Sequence, residues 1–254
     1  MLRILYSDIR KTMLSRAFQI CVMTNVFYHL LLVITLKVVS MVFFHTNIAS
    51  DDVGFCFTSI GIFLVTASTL ITAGEFTDGT MRNKLISGAN RSEVFFSGMI
   101  TGMYQGFVHA AVAFVTAMLM GLFFTTGFEG YTIPEVADFW LLITFSCMTI
   151  GGFSTAVILA LGGRKISYVV GLSIAFGMKI FILYVQDKLY PESGNCHLTG
   201  AKLTLFRFTD RFIPYSYLAM RPHWDCVSYF LGCGGLILIS ALIGVAVFQK
   251  KEML

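Results

Sequence analysis

Charged side chains are scarce in this chain. Only 13% of its 254 residues are Asp, Glu, Lys or Arg, against 56% hydrophobic, whereas a soluble domain carries roughly 25% charge. A water-soluble globular protein is excluded on that ground. Acidic residues are absent from every long apolar run, so the paired intramembrane carboxylates that bind coupling ions in secondary transporters are missing. Motifs for nucleotides and hydrolysis are missing too: there is no G-x-x-x-x-G-K-[ST], G-x-G-x-x-G, H-E-x-x-H or G-x-S-x-G. Gly162-Gly163-Arg164-Lys165 only superficially resembles a phosphate loop, because it joins two apolar runs and is better explained as a tight helix linkage. A membrane-embedded hydrolase needs a nucleophile with a base, and nothing in the spacing links Ser154 to His109. The six cysteines (Cys21, Cys56, Cys147, Cys196, Cys226 and Cys233) show no CxxC or metal-ligand spacing. Cys196 and Cys226 are the pair placed to meet outside a membrane.

Long apolar runs dominate what remains. Six of them, near 17–44, 53–74, 94–124, 139–163, 166–186 and 227–248, meet the roughly 20-residue requirement for crossing a hydrocarbon core of ~30 Å. Short links between them indicate one helical membrane domain over 1–254. The net charge of +4 comes from Lys and Arg beside these runs, where they orient spans and meet lipid headgroups, so nucleic acid is not an expected partner. Arg3, Arg10, Lys11, Arg16, Arg82, Lys84, Arg91, Arg164, Lys165, Lys250 and Lys251 fall on one side, which is the cytoplasmic side. The opposite short links, 45–52 and 125–138, carry Asp51, Asp52, Glu129, Glu135 and Asp138 with no Lys or Arg. Both termini are therefore cytoplasmic. The 187–226 loop carries Lys188, Lys202, Arg207, Arg211 and Arg221 on the outer side, but a loop of this length weighs less.

Residues 1–16 place Leu2, Leu5, Ile9 and Met13 at helical spacing, with Asp8, Arg10, Lys11 and Arg16 elsewhere on the wheel, the pattern of a helix lying on the inner membrane surface. The connection 75–93 reads as a short helix bracketed by turns. Asp78 is expected to cap it, Met81 and Leu85 to form its apolar side, and Gly88 to end it, with Asn90 and Glu93 as a capping box for the third span. Arg82 and Lys84 would then form a charged side suited to an acidic protein surface. The 187–226 loop mixes Phe206, Phe208 and Phe212 with Lys202, Arg207 and Arg211, which predicts short helices at the outer interface.

Polar residues inside the spans are few and therefore informative. In the third, Gly98, Gly102 and Gly106 recur every four residues, and Gln105, His109 and Thr116 share their face. That face must meet protein or water, either as helix packing or as a solute path. Lys179 lies deep in the fifth span, with Tyr168 and Gln186 on its stripe, and either joins a polar face or reaches outward. Asn25 and His29 make a second polar spot in the first span, and Lys37 reads as an outer-interface residue.

The order of these features resembles the permease subunits of type-two ATP-binding cassette exporters, such as bacteriocin-immunity, drug-resistance and modulin-type peptide exporters. The resemblance spans the whole chain and rests on the N-terminal helix, six spans, the Glu75, Asp78-Gly79-Thr80, Arg82-Asn83-Lys84-Leu85 segment, Phe212-Ile213-Pro214-Tyr215 before the last span, and the basic C-terminus. It implies an all-α integral membrane fold: six transmembrane helices, an N-terminal interfacial helix, a cytoplasmic coupling helix between spans 2 and 3, and re-entrant or interfacial helices before span 6. It further implies that Glu75, Asp78, Gly79, Thr80, Arg82, Asn83, Lys84 and Leu85 dock on a separate ATPase. Two ATPase subunits would hold ATP and Mg²⁺, and this chain would hold no cofactor and catalyse no reaction. A second permease chain, identical or not, would complete a path lined by the first, second and fifth spans, with Asn25, His29, Gln105, His109 and Lys179 as candidate polar path residues. The expected site is a bacterial plasma membrane, and the expected solute is an amphipathic peptide first and a drug or lipid-like molecule second. An ATP-independent channel or secondary transporter, or a sensor or immunity subunit that transports nothing, are the alternatives.

Overall fold

Helix ends are marked by side chains that satisfy backbone groups the helices leave unpaired. The computed structural model describes residues 1–44, 56–128, 130–162, 165–191, 196, 198–218 and 226–250. Asp51, Asp52, Glu129, Arg164, Arg221 and Lys251 lie outside the described residues, as does the side chain of Cys226. Helix α1 covers Leu2–Leu14, and Ser15 separates it from α2, Arg16–Val39, by accepting a 3.2 Å hydrogen bond from the Phe18 amide. The second apolar run holds α3, Gly61–Thr69, and α4, Ile71–Thr77. After the short α5, Thr80–Ile86, come the long α6, Arg91–Phe124, and α7, Ile133–Leu161. Helices α8, Lys165–Leu189, α9, Gly200–Phe212, and α10, Cys226–Gln249, complete the chain.

Six of these segments are long and apolar enough to cross a membrane: Arg16–Phe43, Phe57–Phe76, Arg91–Phe124, Ile133–Leu161, Ile166–Leu189 and Val227–Gln249. The described residues are mostly helical, without strands, and the architecture is that of a membrane-protein-like helical bundle. Two boundaries differ from expectation. The fourth span begins at Ile133 rather than 139, because Thr132 and Glu135 form a capping box and Pro134 preorganises the first turn. The second span is not one helix: it breaks at Leu70, where the Ser68 and Thr69 hydroxyls take the carbonyls of Val65 and Thr66.

The centre of the bundle is the crossing of α6 with α7. A Cβ on Gly106 would strike the Cys147 carbonyl, and one on Gly151 would strike the Gly102 carbonyl. Small residues thus let the two backbones touch, and close packing rather than water exclusion supplies helix association inside a membrane. The glycine stripe of α6 is therefore a packing seam, with Gln105, His109 and Thr116 buried beside it. α2 has the opposite character. Ile20, Met23, Phe27, Leu31, Ile34 and Val38 all stand exposed along it, an apolar surface that suits lipid or another membrane chain.

Between α8 and α10, α9 is followed by a 3-10 turn at Pro214–Leu218, so short elements do precede the last span. Ser146 donates to the Pro214 carbonyl at 3.1 Å and shares a short hydrogen bond with the Tyr229 hydroxyl, fixing the turn between α7 and α10. Cys196 stands as a free thiol, and the side chain of Cys226, with which it was paired in expectation, lies outside the described residues.

Candidate functional site

The 75–93 connection contains the expected short helix, but its starting signal is different. Gly79, at φ +69°, stands at the N-cap of α5, while Asp78 follows α4 as an exposed residue and makes no cap bond to α5. A left-handed backbone is nearly free for glycine and costly for Asp, so the turn chemistry falls to Gly79. Gly88, at φ +92°, ends the helix as expected: its amide reaches the Leu85 carbonyl and the Ala89 amide reaches that of Lys84. The Asn90–Glu93 capping box then opens α6.

α5 has two sides of different chemistry. Met81 is buried in an apolar cluster with Val94, Phe95, Met99 and Phe248, against which Leu85 also packs. Lys84 turns the same way. Its ammonium sits 2.7 Å from Asp8 Oδ1 and 2.8 Å from Glu75 Oε2, and its side chain is only 14% exposed. Asp8 also accepts a 2.7 Å hydrogen bond from Ser97 of α6. Lys11 adds a 3.2 Å ion pair to Glu75 and a 3.2 Å hydrogen bond to Thr80. Lys84 therefore does not share an outward charged side with Arg82. The outward side consists of Arg82, Asn83 and Ile86, the last 73% exposed.

Burial opposes the charge on Lys84, yet the Glu75 and Asp8 carboxylates outweigh it, and the ammonium is held above the usual lysine range. The result is a bolt through four helices: α1 by Asp8, the end of α4 by Glu75, α5 by Lys84 and α6 by Ser97. Asp8 was not among the sequence-derived site residues. The apolar spacing of Leu2, Leu5, Ile9 and Met13 turned Asp8 outward on the wheel, whereas in the structure Asp8 and Thr12 are the buried residues of α1 and Leu2 is exposed. The available signal was the pair Lys11 and Lys84, which needed more acid than Glu75 alone. At the same end Arg91 donates to the Gln249 carbonyl at 2.7 Å, tying the last turn of α10 to the first of α6.

The polar span residues come together in two places. Asn25 donates from Nδ2 to the His109 carbonyl at 2.9 Å, and His29 donates from Nδ1 to the Asn25 carbonyl at 2.8 Å. Phe18 meets the His109 ring edge-on and Phe57 stacks on His29. Asn25, His29, Gln105 and His109 are all buried inside the single chain, and the Asn25–His109 bond joins α2 to α6. Among the described residues the Gln105 amide and both His109 ring nitrogens make no hydrogen bond to protein.

Lys179 turns inward rather than outward. Its ammonium donates to the Thr58 carbonyl at 2.8 Å and to the Leu218 carbonyl at 2.7 Å, joining α8 to two 3-10 turns, Cys56–Ser59 and Pro214–Leu218. Gln186 on the same stripe is buried and donates to Asp210 at 3.3 Å and to the Ser216 carbonyl at 3.2 Å, while Tyr168 stands exposed. Lys37 reaches the Phe124 carbonyl at the far end of α6, 3.2 Å away, and lies over the Phe124 ring. No group of three or more His, Cys, Asp or Glu among the described residues is placed to hold a metal.

The sequence matches no protein-family model and no curated protein. The class is therefore defined by architecture: an all-helical bundle with six helices suited to crossing a membrane and a bolted short helix between the second and third.

Proposed function

We propose that this chain is the membrane-spanning permease subunit of an ATP-binding cassette exporter, multi-pass in a bacterial plasma membrane with both termini in the cytoplasm. One observation carries the reading: α5 presents Arg82, Asn83 and Ile86 outward while Met81, Lys84 and Leu85 fix it to α1, α4 and α6. A protein that grips the outer side of α5 pulls on three helices at once, because the bolt leaves α5 no freedom to move alone. That is the mechanical requirement for a coupling helix.

Work enters from a separate ATPase, two copies per complex, which holds ATP and Mg²⁺. α1 lies along the inner membrane surface, where its exposed Leu2, Tyr6 and Leu14 meet lipid, and the α9 region dips into the outer interface. Two permease chains face one another, and the solute path runs along the exposed apolar faces of α2 and α8. Asn25, His29, Gln105, His109 and Lys179 shape the wall of that path from behind, since their polar groups point into the bundle. Apolar path walls suit an amphipathic or hydrophobic solute, a modulin- or bacteriocin-like peptide first and a drug second.

The test is co-purification of the chain with an ATPase subunit encoded beside it, reconstituted for solute-stimulated ATP hydrolysis. Arg82→Glu combined with Ile86→Asp is expected to release the ATPase or abolish solute stimulation while leaving membrane insertion unchanged. Reversing Lys84 is not a clean docking probe, because it would break the internal bolt. Solute movement by the chain alone, without a nucleotide-hydrolysing companion, would overturn the proposal in favour of a channel or secondary transporter. A complex that binds solute but never moves it would leave a sensor or immunity subunit.

A further inference from the structure

Helix α9 carries an arginine pair on one strip and borders an apolar groove with the neighbouring strip. The groove, about 440 Å³, is walled by Phe153 of α7, Met178 of α8, Phe208 and Phe212 of α9, and Leu231 and Leu236 of α10. α9 divides its surface three ways. Phe206, Thr209 and Asp210 are buried against the bundle. Leu205 and Phe208 are exposed on a second strip, and Arg207 and Arg211, one turn apart, are exposed on a third. The arginines border a separate polar cavity of about 400 Å³ that also includes Tyr190 and Asp210.

Asp210 is the acid nearest in sequence to both arginines, yet it points inward. Its carboxylate accepts from Gln186 at 3.3 Å and from Tyr190 at 3.0 Å. Among the described residues neither Arg207 nor Arg211 forms an ion pair. Two guanidinium groups a helical turn apart match phosphate oxygens, with which they form strong charge-assisted hydrogen bonds. The exposed Leu205 and Phe208 beside them require an apolar medium. A single molecule answers both demands when it carries a phosphate head and a hydrocarbon tail.

We infer that α9 binds one anionic phospholipid, with its phosphate on Arg207 and Arg211 and an acyl chain in the groove beneath Phe208 and Phe212. Charge complementarity selects this occupant: a cationic peptide would be repelled by the arginine pair, and a free anion would leave the groove unused. The lipid site involves no residue of α5 and does not depend on an ATPase.

The full-length chain, purified in neutral detergent and mixed with phosphatidylglycerol or phosphatidylcholine, supplies the test, read by native mass spectrometry and by the thermal midpoint. Retention of one phosphatidylglycerol and a midpoint rise absent with phosphatidylcholine are expected. Arg207→Gln with Arg211→Gln should weaken phosphatidylglycerol retention at least about tenfold. Gly235 lines the groove, and a Cβ there meets nothing within 4 Å, so a side chain can leave the backbone at this point and Gly235→Leu is expected to occupy the groove. That variant should lose lipid retention with both arginines intact, which keeps the test decisive even if the double Arg variant folds poorly. Equal retention of phosphatidylcholine, unchanged retention in Gly235→Leu, or the same midpoint rise from inorganic phosphate alone would each overturn the site.

Discussion

Lys84 and Lys179 are both turned into the protein, and they are satisfied in opposite ways. Lys84 lies between two carboxylates, 2.7 Å from Asp8 and 2.8 Å from Glu75. Lys179 lies between two backbone carbonyls, 2.8 Å from Thr58 and 2.7 Å from Leu218. Depth accounts for the difference. Lys84 sits at the end of the bundle, where water still reaches part of the cluster, and an ion triad can be assembled there without desolvating every charge. Lys179 sits within an apolar span, where each added carboxylate would bring a desolvation cost of several kcal/mol. Carbonyls of 3-10 turns are the cheaper partner, because helix ends and short turns leave them without a backbone donor. An ammonium at an end bolts helices by charge, and an ammonium in a span staples broken backbone by dipoles.

The contrast predicts unequal penalties. Lys84→Met leaves Asp8 without a cation and Glu75 with only the half-exposed Lys11, and it is expected to lower stability by about 3–5 kcal/mol, the range for breaking a buried pair. Unfolding of the full chain in mild detergent would measure this, and a loss below about 1 kcal/mol would show that the bolt is solvated rather than buried. Asp8→Asn removes the stranded charge. The double variant Asp8→Asn with Lys84→Met should therefore cost about 2 kcal/mol less than the sum of the single changes.

Lys179→Met removes two hydrogen bonds but also removes a charge that costs roughly 2.5–3.5 kcal/mol to place in a span. Orphaning two carbonyls costs about 1–3 kcal/mol each, so the net loss should be only about 1 kcal/mol. A penalty as large as that of Lys84→Met would erase the distinction between the two lysines. Lys11 is 47% exposed and supports Glu75 from the rim. Lys11→Ala should cost about 0.5 kcal/mol, and the loss should shrink in high salt.

Alkaline titration separates the two ends further. The Lys84 ammonium is held above its usual range, so its contribution is fully present below the unfolded lysine pKa, near ~10.4, and is lost as pH rises through the higher folded value. Tyr190 titrates with the same sign. Burial, reinforced by the Asp210 charge, pushes its phenol up to about 12. In a Tyr190→Phe background the remaining alkaline loss should be smaller in Lys84→Met than with Lys84 present, and an identical loss in both would remove Lys84 as its source.

Much of the framework was legible in the residues. The six apolar runs appear as six helical spans near the expected places, the second broken at Leu70, and Gly88, Asn90 and Glu93 act as the stop and start signals they resemble. Local chemistry suffices for these features, since a cap is satisfied within four residues. The stripe of Gly98, Gly102, Gln105, His109 and Thr116 was legible as a face turned away from lipid, but its partner was not. Gly151 and Thr155, across the crossing, belong to a helix whose rotation no local pattern specifies. Asp8 was missed for the same reason. On an amphipathic wheel a carboxylate belongs with the polar residues, and only Lys84 and Ser97, far along the chain, draw it inward.

What the sequence determined by itself was solvent and segmentation. A chain with so few charges must place its long apolar runs in a nonpolar medium, and backbone hydrogen bonding there requires helices. Which side each helix turns inward was decided only by the tertiary structure. Helical periodicity tells which residues share a face, whereas ion pairing and glycine-to-carbonyl contact act between residues distant in sequence. Their distances exist only once the helices are packed.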